Sequence, residues 1–72
     1  MKDQKTTKVL DVWDRGIHVT CIKDFRDQLT PYHLYLNWWD NGRTHKKLLM
    51  KYNHIINALH GTQNVFINAL NK

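Results

Sequence analysis

Hydrophobic and polar residues alternate along much of the first fifty positions, and the alternation divides the chain into strands. From Ile17 to Lys23 the apolar Ile17, Val19 and Cys21 alternate with His18 and Thr20, the period-2 pattern of a half-buried strand. The run before it, Lys8 to Trp13, is rich in β-forming residues, and Asp14-Arg15-Gly16 between the two is a turn signal. The register of this hairpin depends on the loop. A two- or four-residue loop puts Leu10 and Val12 on the face of Ile17, Val19 and Cys21, whereas a three-residue loop swaps the faces of the first strand. The first is preferred because it gathers the apolar side chains on one side.

Asp24 to Pro31 is read as a connecting loop with Phe25 and Leu29 tucked against the core edge. Pro31 cannot donate to a central ladder, so the next strand starts at or after it. Tyr32 to Trp39 then alternates clearly, with Tyr32, Leu34, Leu36 and Trp38 on the more apolar face and His33, Tyr35, Asn37 and Trp39 on the other.

Asn41-Gly42 is the strongest short hairpin signal, because both residues accept the positive φ of a type I′ turn. A two-residue turn there pairs Asp40 with Arg43, Trp38 with His45, Leu36 with Lys47 and Leu34 with Leu49. It sets Trp39 beside Thr44, Asn37 beside Lys46 and Tyr35 beside Leu48. A competing reading starts a helix near Thr44, with Leu48, Leu49, Tyr52, Ile55, Ile56 and Leu59 at helical spacing. The hairpin is favoured, with Asn53 as the cap of a later helix.

In the tail, Ile55, Ile56, Leu59, Phe66, Ala69 and Leu70 recur on one helical stripe. The tetrapeptide Ile-Asn-Ala-Leu begins at both residue 56 and residue 67. That offset is about three helical turns, so both copies share a face if the helix is unbroken. Gly61 argues for a break, and two helices over 53–60 and 63–71 compete with one bent helix. The repeat itself is taken as coincidence.

These elements predict an α+β fold: a four-stranded antiparallel meander near 8–14, 17–24, 32–40 and 43–51, then a helical segment packed on one face. Residues 1–7 form a disordered end and 8–72 a single domain. The expected core is Leu10, Val12, Ile17, Val19, Leu34, Leu36, Trp38, Leu49, Ile55, Ile56, Leu59 and Phe66. A chain of 72 residues buries only roughly 60% of its unfolded surface, so that core is thin.

Charge changes the picture more than composition does. Residues 1–40 balance six Lys or Arg against six Asp, so the net +5 lies entirely in residues 41–72. Arg43, Lys46, Lys47 and Lys51 carry four of those charges. From Tyr52 to Asn71 there is no charged side chain, only Asn, Gln, Thr and His as polar groups. A helix face without charge is easier to desolvate against a partner.

Catalytic chemistry finds little to work with. The chain contains no serine and no glutamate, and its glycines are isolated. Cys21 points toward the expected core, away from His18, so a Cys–His dyad does not assemble. The aspartates are scattered through turns and exposed positions, and turn chemistry explains them well. The histidine spacings fit no metal motif. No enzyme activity, metal or cofactor is expected. No run of residues is apolar enough to span a membrane, and the first residues lack the apolar core of a signal peptide. A cytoplasmic protein without membrane attachment is the expectation.

Binding is the remaining function. If the helix covers one sheet face, the other holds Trp13, His18, Thr20, His33, Tyr35, Asn37 and Trp39 beside the cations. Aromatics on an open sheet bordered by positive charge suit the stacking of unpaired bases. The hairpin could also enter a duplex groove as a ribbon. The candidate nucleic-acid-binding residues are therefore Trp39, Tyr35, Arg43, Lys46, Lys47 and Lys51. The rival is a homodimer or protein-interaction module, because apolar residues fall on both sheet faces.

Overall fold

A computed structural model describes residues 5–70. It contains β1 (Thr6–Asp14), β2 (Ile17–Asp24), β3 (Tyr32–Asp40), β4 (Arg43–Tyr52) and α1 (Ile55–Leu70). The strands form one antiparallel sheet in the order β1-β2-β3-β4, and α1 packs on β2, β3 and β4. The expected α+β architecture is thus the observed one. β1 begins at Thr6 rather than Lys8; residues 1–4 of the expected disordered end lie outside the described residues.

Both hairpins close with two-residue turns at the same end of the sheet. Asn41 and Gly42 have φ of 51° and 74°, the paired positive values of a type I′ turn. Residues 43–52 are therefore strand, and the competing helix from Thr44 is excluded. Arg15 and Gly16 have φ of 53° and 80°. This two-residue loop pairs Val12 with Val19 and Leu10 with Cys21, so the preferred register holds.

Two irregularities adjust the ladders. One lies between Lys8 and Leu10 and leaves Val9 unpaired. The other sits opposite Leu34 and Tyr35 and corrects one expected pair: Leu34 lies across from Met50, not Leu49. As the extra residue of this bulge, Leu49 packs against the core, while Met50 stays exposed.

Among the described residues four hydrophobic side chains are fully buried: Val19, Cys21, Leu34 and Ala58. Leu10, Ile17, Tyr32, Leu36, Leu49, Tyr52, Val65 and Phe66 pack around them. On α1 the inward stripe is made of small residues, Ala58, Gly61 and Thr62, all buried. Their size lets the helix lie close to the sheet. The Tyr52 ring fills the notch at Gly61, where a Cβ would stand 2.1 Å from the Tyr52 hydroxyl oxygen. Gly61 therefore serves as a seat for Tyr52 and does not end the helix, which runs unbroken for 16 residues.

Several expected core residues lie outside it. Trp38 is 44% exposed, because β3 carries it toward the turn end, where it stacks on His45. Ile56 and Leu59 are exposed because their apolar arc is wider than the strip α1 can press on the sheet. Phe25 and Leu29 are exposed as well. The loop holding them folds on its own polar groups instead: the Asp27 carboxylate accepts from the Thr30 N–H and hydroxyl at 3.1 and 2.9 Å. Asn53 does not cap the helix backbone; its Oδ1 accepts from Asn57 Nδ2 at 3.0 Å.

Candidate nucleic-acid interface

All three tryptophans of the chain are exposed. Trp13, Trp38 and Trp39 are 72%, 44% and 68% accessible, although indole side chains are on average well buried. They gather at the turn end of the sheet around a cleft of about 440 Å³ whose lining includes Gly16, His18, Asn37 and Thr44.

The hairpins explain this gathering. Trp13-Asp14-Arg15-Gly16 and Trp39-Asp40-Asn41-Gly42 are the same Trp-Asp-X-Gly pattern. Each places its tryptophan one residue before the pair that flanks the turn. Trp13 lies opposite His18, His18 opposite Asn37, and Asn37 opposite Lys46. These four residues form one row on the face away from α1. Trp39 shares that face, opposite Thr44. With strands roughly 4.8 Å apart and about 3.4 Å per residue, the Trp13 and Trp39 backbones are about 12 Å apart.

Beneath the tryptophans the sheet face is fixed by a polar network. Asp11 Oδ1 bonds His18 Nε2 at 2.5 Å and accepts from the Thr20 hydroxyl at 3.1 Å. Asn37 Nδ2 donates to Thr20 Oγ1 at 2.9 Å. The His18 bond, then the Thr20 bond and the nearby charges of His18 and Lys8, hold the Asp11 carboxyl below its usual range despite some desolvation. The His18 ring lies 4.6 Å from the Trp13 ring, tilted by 31°. The walls of the cleft are therefore exposed indoles, and its floor is a braced set of polar side chains.

The six residues singled out from sequence divide. Trp39 is at the cleft. Tyr35 is half-buried on the same face, with Lys46 Nζ 4.8 Å from its ring centroid. Lys51 also reaches this face, opposite His33, but stands 3.9 Å from Asp27 Oδ2, which offsets its charge. Arg43 and Lys47 pair with Asp40 and Leu36, so strand alternation turns them to the side of α1. The basic run is thus split between the two faces of β4, an edge strand.

Three residues of the site were absent from that set. Trp13 and Arg15 belong to the first hairpin, and Trp38 was assigned to the core. The repeated Trp-Asp-X-Gly pattern is the signal that would have found the first two. Arg15 is unusual because a non-glycine side chain in the left-handed region costs roughly 1–2 kcal/mol. Its guanidinium lies 3.9 Å from Asp14.

Elsewhere the reactive groups are occupied structurally. Burial pushes the Cys21 thiol up, away from the thiolate form. The Arg26 side chain and backbone, which both bond Asp24, bring that carboxyl down to about 2. Among the described residues, no three His, Cys, Asp or Glu side chains gather as metal ligands would, and no helix is long and apolar enough to cross a membrane.

No protein-family model matches the chain, no characterised protein resembles it in sequence, and no solved structure matches its fold.

Proposed function

We propose that the protein binds single-stranded nucleic acid, without catalytic turnover, across the turn end of its open sheet face. The observation that carries this reading is the exposure of Trp13 and Trp39 together on that face, at the end of the sheet that holds Lys46 and the Arg15 turn. Indole faces left in water are stacking platforms, and each stacked base contributes about 1–3 kcal/mol. A single strand offers unpaired base faces, whereas a duplex keeps them covered. The separation of about 12 Å between Trp13 and Trp39 suits bases that are near but not adjacent along a strand. Lys46 and Arg15 supply the phosphate contacts. Asn37 and Thr44 line the cleft where a base edge would lie. A cytoplasmic setting, where unpaired nucleic acid is abundant, fits the single buried thiol of Cys21.

Titration of indole emission with single-stranded and duplex oligonucleotides at two salt concentrations tests the proposal. The expected result is quenching by single strands, with weaker binding at higher salt. Two phosphate contacts, from Arg15 and Lys46, predict a log–log salt slope of about −1.4. No binding at low salt removes the proposal. Binding that survives loss of both Trp13 and Trp39 removes the assignment of the face.

A further inference from the structure

The outer flank of α1 carries an apolar stripe that the sheet does not use. At about 100° per residue, Leu59 borders the buried Ala58–Thr62 strip and Ile56 and Ile67 lie beyond it on the side of the helix away from the sheet, while Asn57, Asn64 and Asn68 lie on the other flank. The three apolar residues are 57%, 44% and 48% exposed. Because the helix is unbroken, both copies of Ile-Asn-Ala-Leu share one orientation. Ala58 and Ala69 turn toward the sheet while Ile56 and Ile67 turn out.

We propose that this flank is the interface of a homodimer, with α1 of one copy antiparallel to α1 of a second about a two-fold axis at Gln63. The occupant follows from spacing and charge. Leu59 precedes Gln63 by as many residues as Ile67 follows it. A two-fold axis there lays Leu59 of each copy on Ile67 of the other, the self-complementary contact that a symmetric dimer requires. Gln63 then faces its own mate, and an amide both donates and accepts, so one polar pair at the centre sets the register.

The charge pattern favours a second copy. Each copy carries +5, and α1 carries none of it. Two like-charged molecules associate most easily through the surface that holds no charge. A strongly acidic or basic partner finds nothing on this flank to pair with. The molecule is a slab of 41 × 30 × 14 Å. So thin a slab, with four fully buried hydrophobic residues among those described, also has much to gain from further burial. The inference does not depend on nucleic-acid binding, which uses the opposite side.

Light scattering and sedimentation of the full chain, from micromolar to millimolar concentration and without oligonucleotide, test it together with two variants. The wild type is expected to pass from monomer to dimer. Ile67→Lys is expected to raise the midpoint at least about tenfold, since an unpaired ammonium then faces Leu59. A lysine in the last helical turn complements the helix dipole, so the circular dichroism of the monomer should be kept. Gln63→Cys is expected to form an interchain disulfide on mild oxidation, while Asn57→Cys on the other flank and the wild type with its buried Cys21 do not. A monomer at every concentration overturns the proposal. So does a dimer indifferent to Ile67→Lys, or equal cross-linking at positions 57 and 63.

Discussion

Gly61→Ala tests how α1 is seated, and two effects oppose each other in it. Replacing a mid-helix glycine with alanine ordinarily stabilises by about 1 kcal/mol, because the unfolded chain loses freedom and the helix gains a better former. Here the new Cβ would stand 2.1 Å from the Tyr52 hydroxyl oxygen, 2.6 Å from Cζ and 3.0 Å from Cε2. The ring must retreat by more than about 1 Å to restore ordinary carbon contacts. Tyr52 is half-buried between β4 and α1 and packs on the core, so it retreats only by giving up contact. Overpacking of this kind costs about 1–3 kcal/mol, and with three atoms in conflict the upper part of that range applies. The net expectation is a loss of about 1–2 kcal/mol. In a domain of this size that lowers Tm by about 4–16 °C. Thermal and urea melts at one fixed protein concentration measure it, because self-association would otherwise move the midpoint. The informative experiment is the cycle with Tyr52→Ala. With the ring gone the notch is empty, and Gly61→Ala should then stabilise by about 1 kcal/mol. The sign of the alanine effect thus reverses between the two backgrounds, a coupling of about 2–3 kcal/mol. If Gly61→Ala raises Tm with Tyr52 in place, the ring does not occupy the notch and this account of the continuous helix is wrong.

Three further outcomes follow from the turn end and the carboxylates. Arg15→Asn should stabilise the fold by about 1 kcal/mol, since asparagine tolerates the left-handed region better. The same substitution should weaken oligonucleotide binding and reduce the salt slope by about 0.7; a gain in stability with unchanged binding would remove Arg15 from the interface. Trp39→Ala should leave the urea midpoint nearly unchanged, because the indole is 68% exposed, while costing about 1–3 kcal/mol of single-strand affinity. Asp24 ionises at about 2 in the folded chain against an ordinary value of 3.8, chiefly through its bonds from Arg26. The folded state therefore binds fewer protons than the unfolded one. The stability this contributes is present above 3.8 and is lost as pH falls from there toward 2. Urea midpoints across that window should fall less steeply in Asp24→Asn than in the wild type; equal slopes would show that the Arg26 clamp does not form.

The sheet was legible because its signals are local and physical. Asn41-Gly42 fixes a turn, the turn fixes the register, and alternation then assigns every face from Tyr35 to Lys46. Failures occur where a distant residue decides. The bulge beside Leu34 shifts Leu49 from a paired position to an extra one, and period-2 reasoning has no term for an inserted residue. Gly61 looks like a helix stop until the Tyr52 ring, nine residues back, is seen to need the space. Trp38 has the right parity for the core, but parity does not say where along a strand the helix stops covering it. The site was half legible for a similar reason. Clustering in sequence drew Arg43, Lys46, Lys47 and Lys51 together, and strand alternation separates them. The pairing of Trp13 with Trp39 needs both hairpins side by side, which comes from β2–β3 adjacency.

The cations of β4 have a second explanation, and weighing it shows what the binding proposal rests on. β4 is an edge strand, and lysines on an exposed edge discourage addition of a strand from another molecule. Arg43, Lys46, Lys47 and Lys51 would serve that purpose on either face, and their split between faces suits it. β1, the other edge, meets the same need differently, since its irregularity at Val9 interrupts the ladder. Edge protection therefore accounts for the positive charge without any ligand. It does not account for the tryptophans. Indoles beside an edge favour association, and a chain with a thin core has reason to bury them. Instead Trp13 and Trp39 occupy matched positions in two hairpins, and both remain in water. One of those hairpins keeps an arginine where asparagine or glycine would cost less. Charge reversal on β4 perturbs edge protection and ligand binding alike, so it does not separate the two explanations. Removal of the indoles does: it leaves the edge charges intact, and loss of single-strand affinity in those variants isolates the stacking surface as the cause.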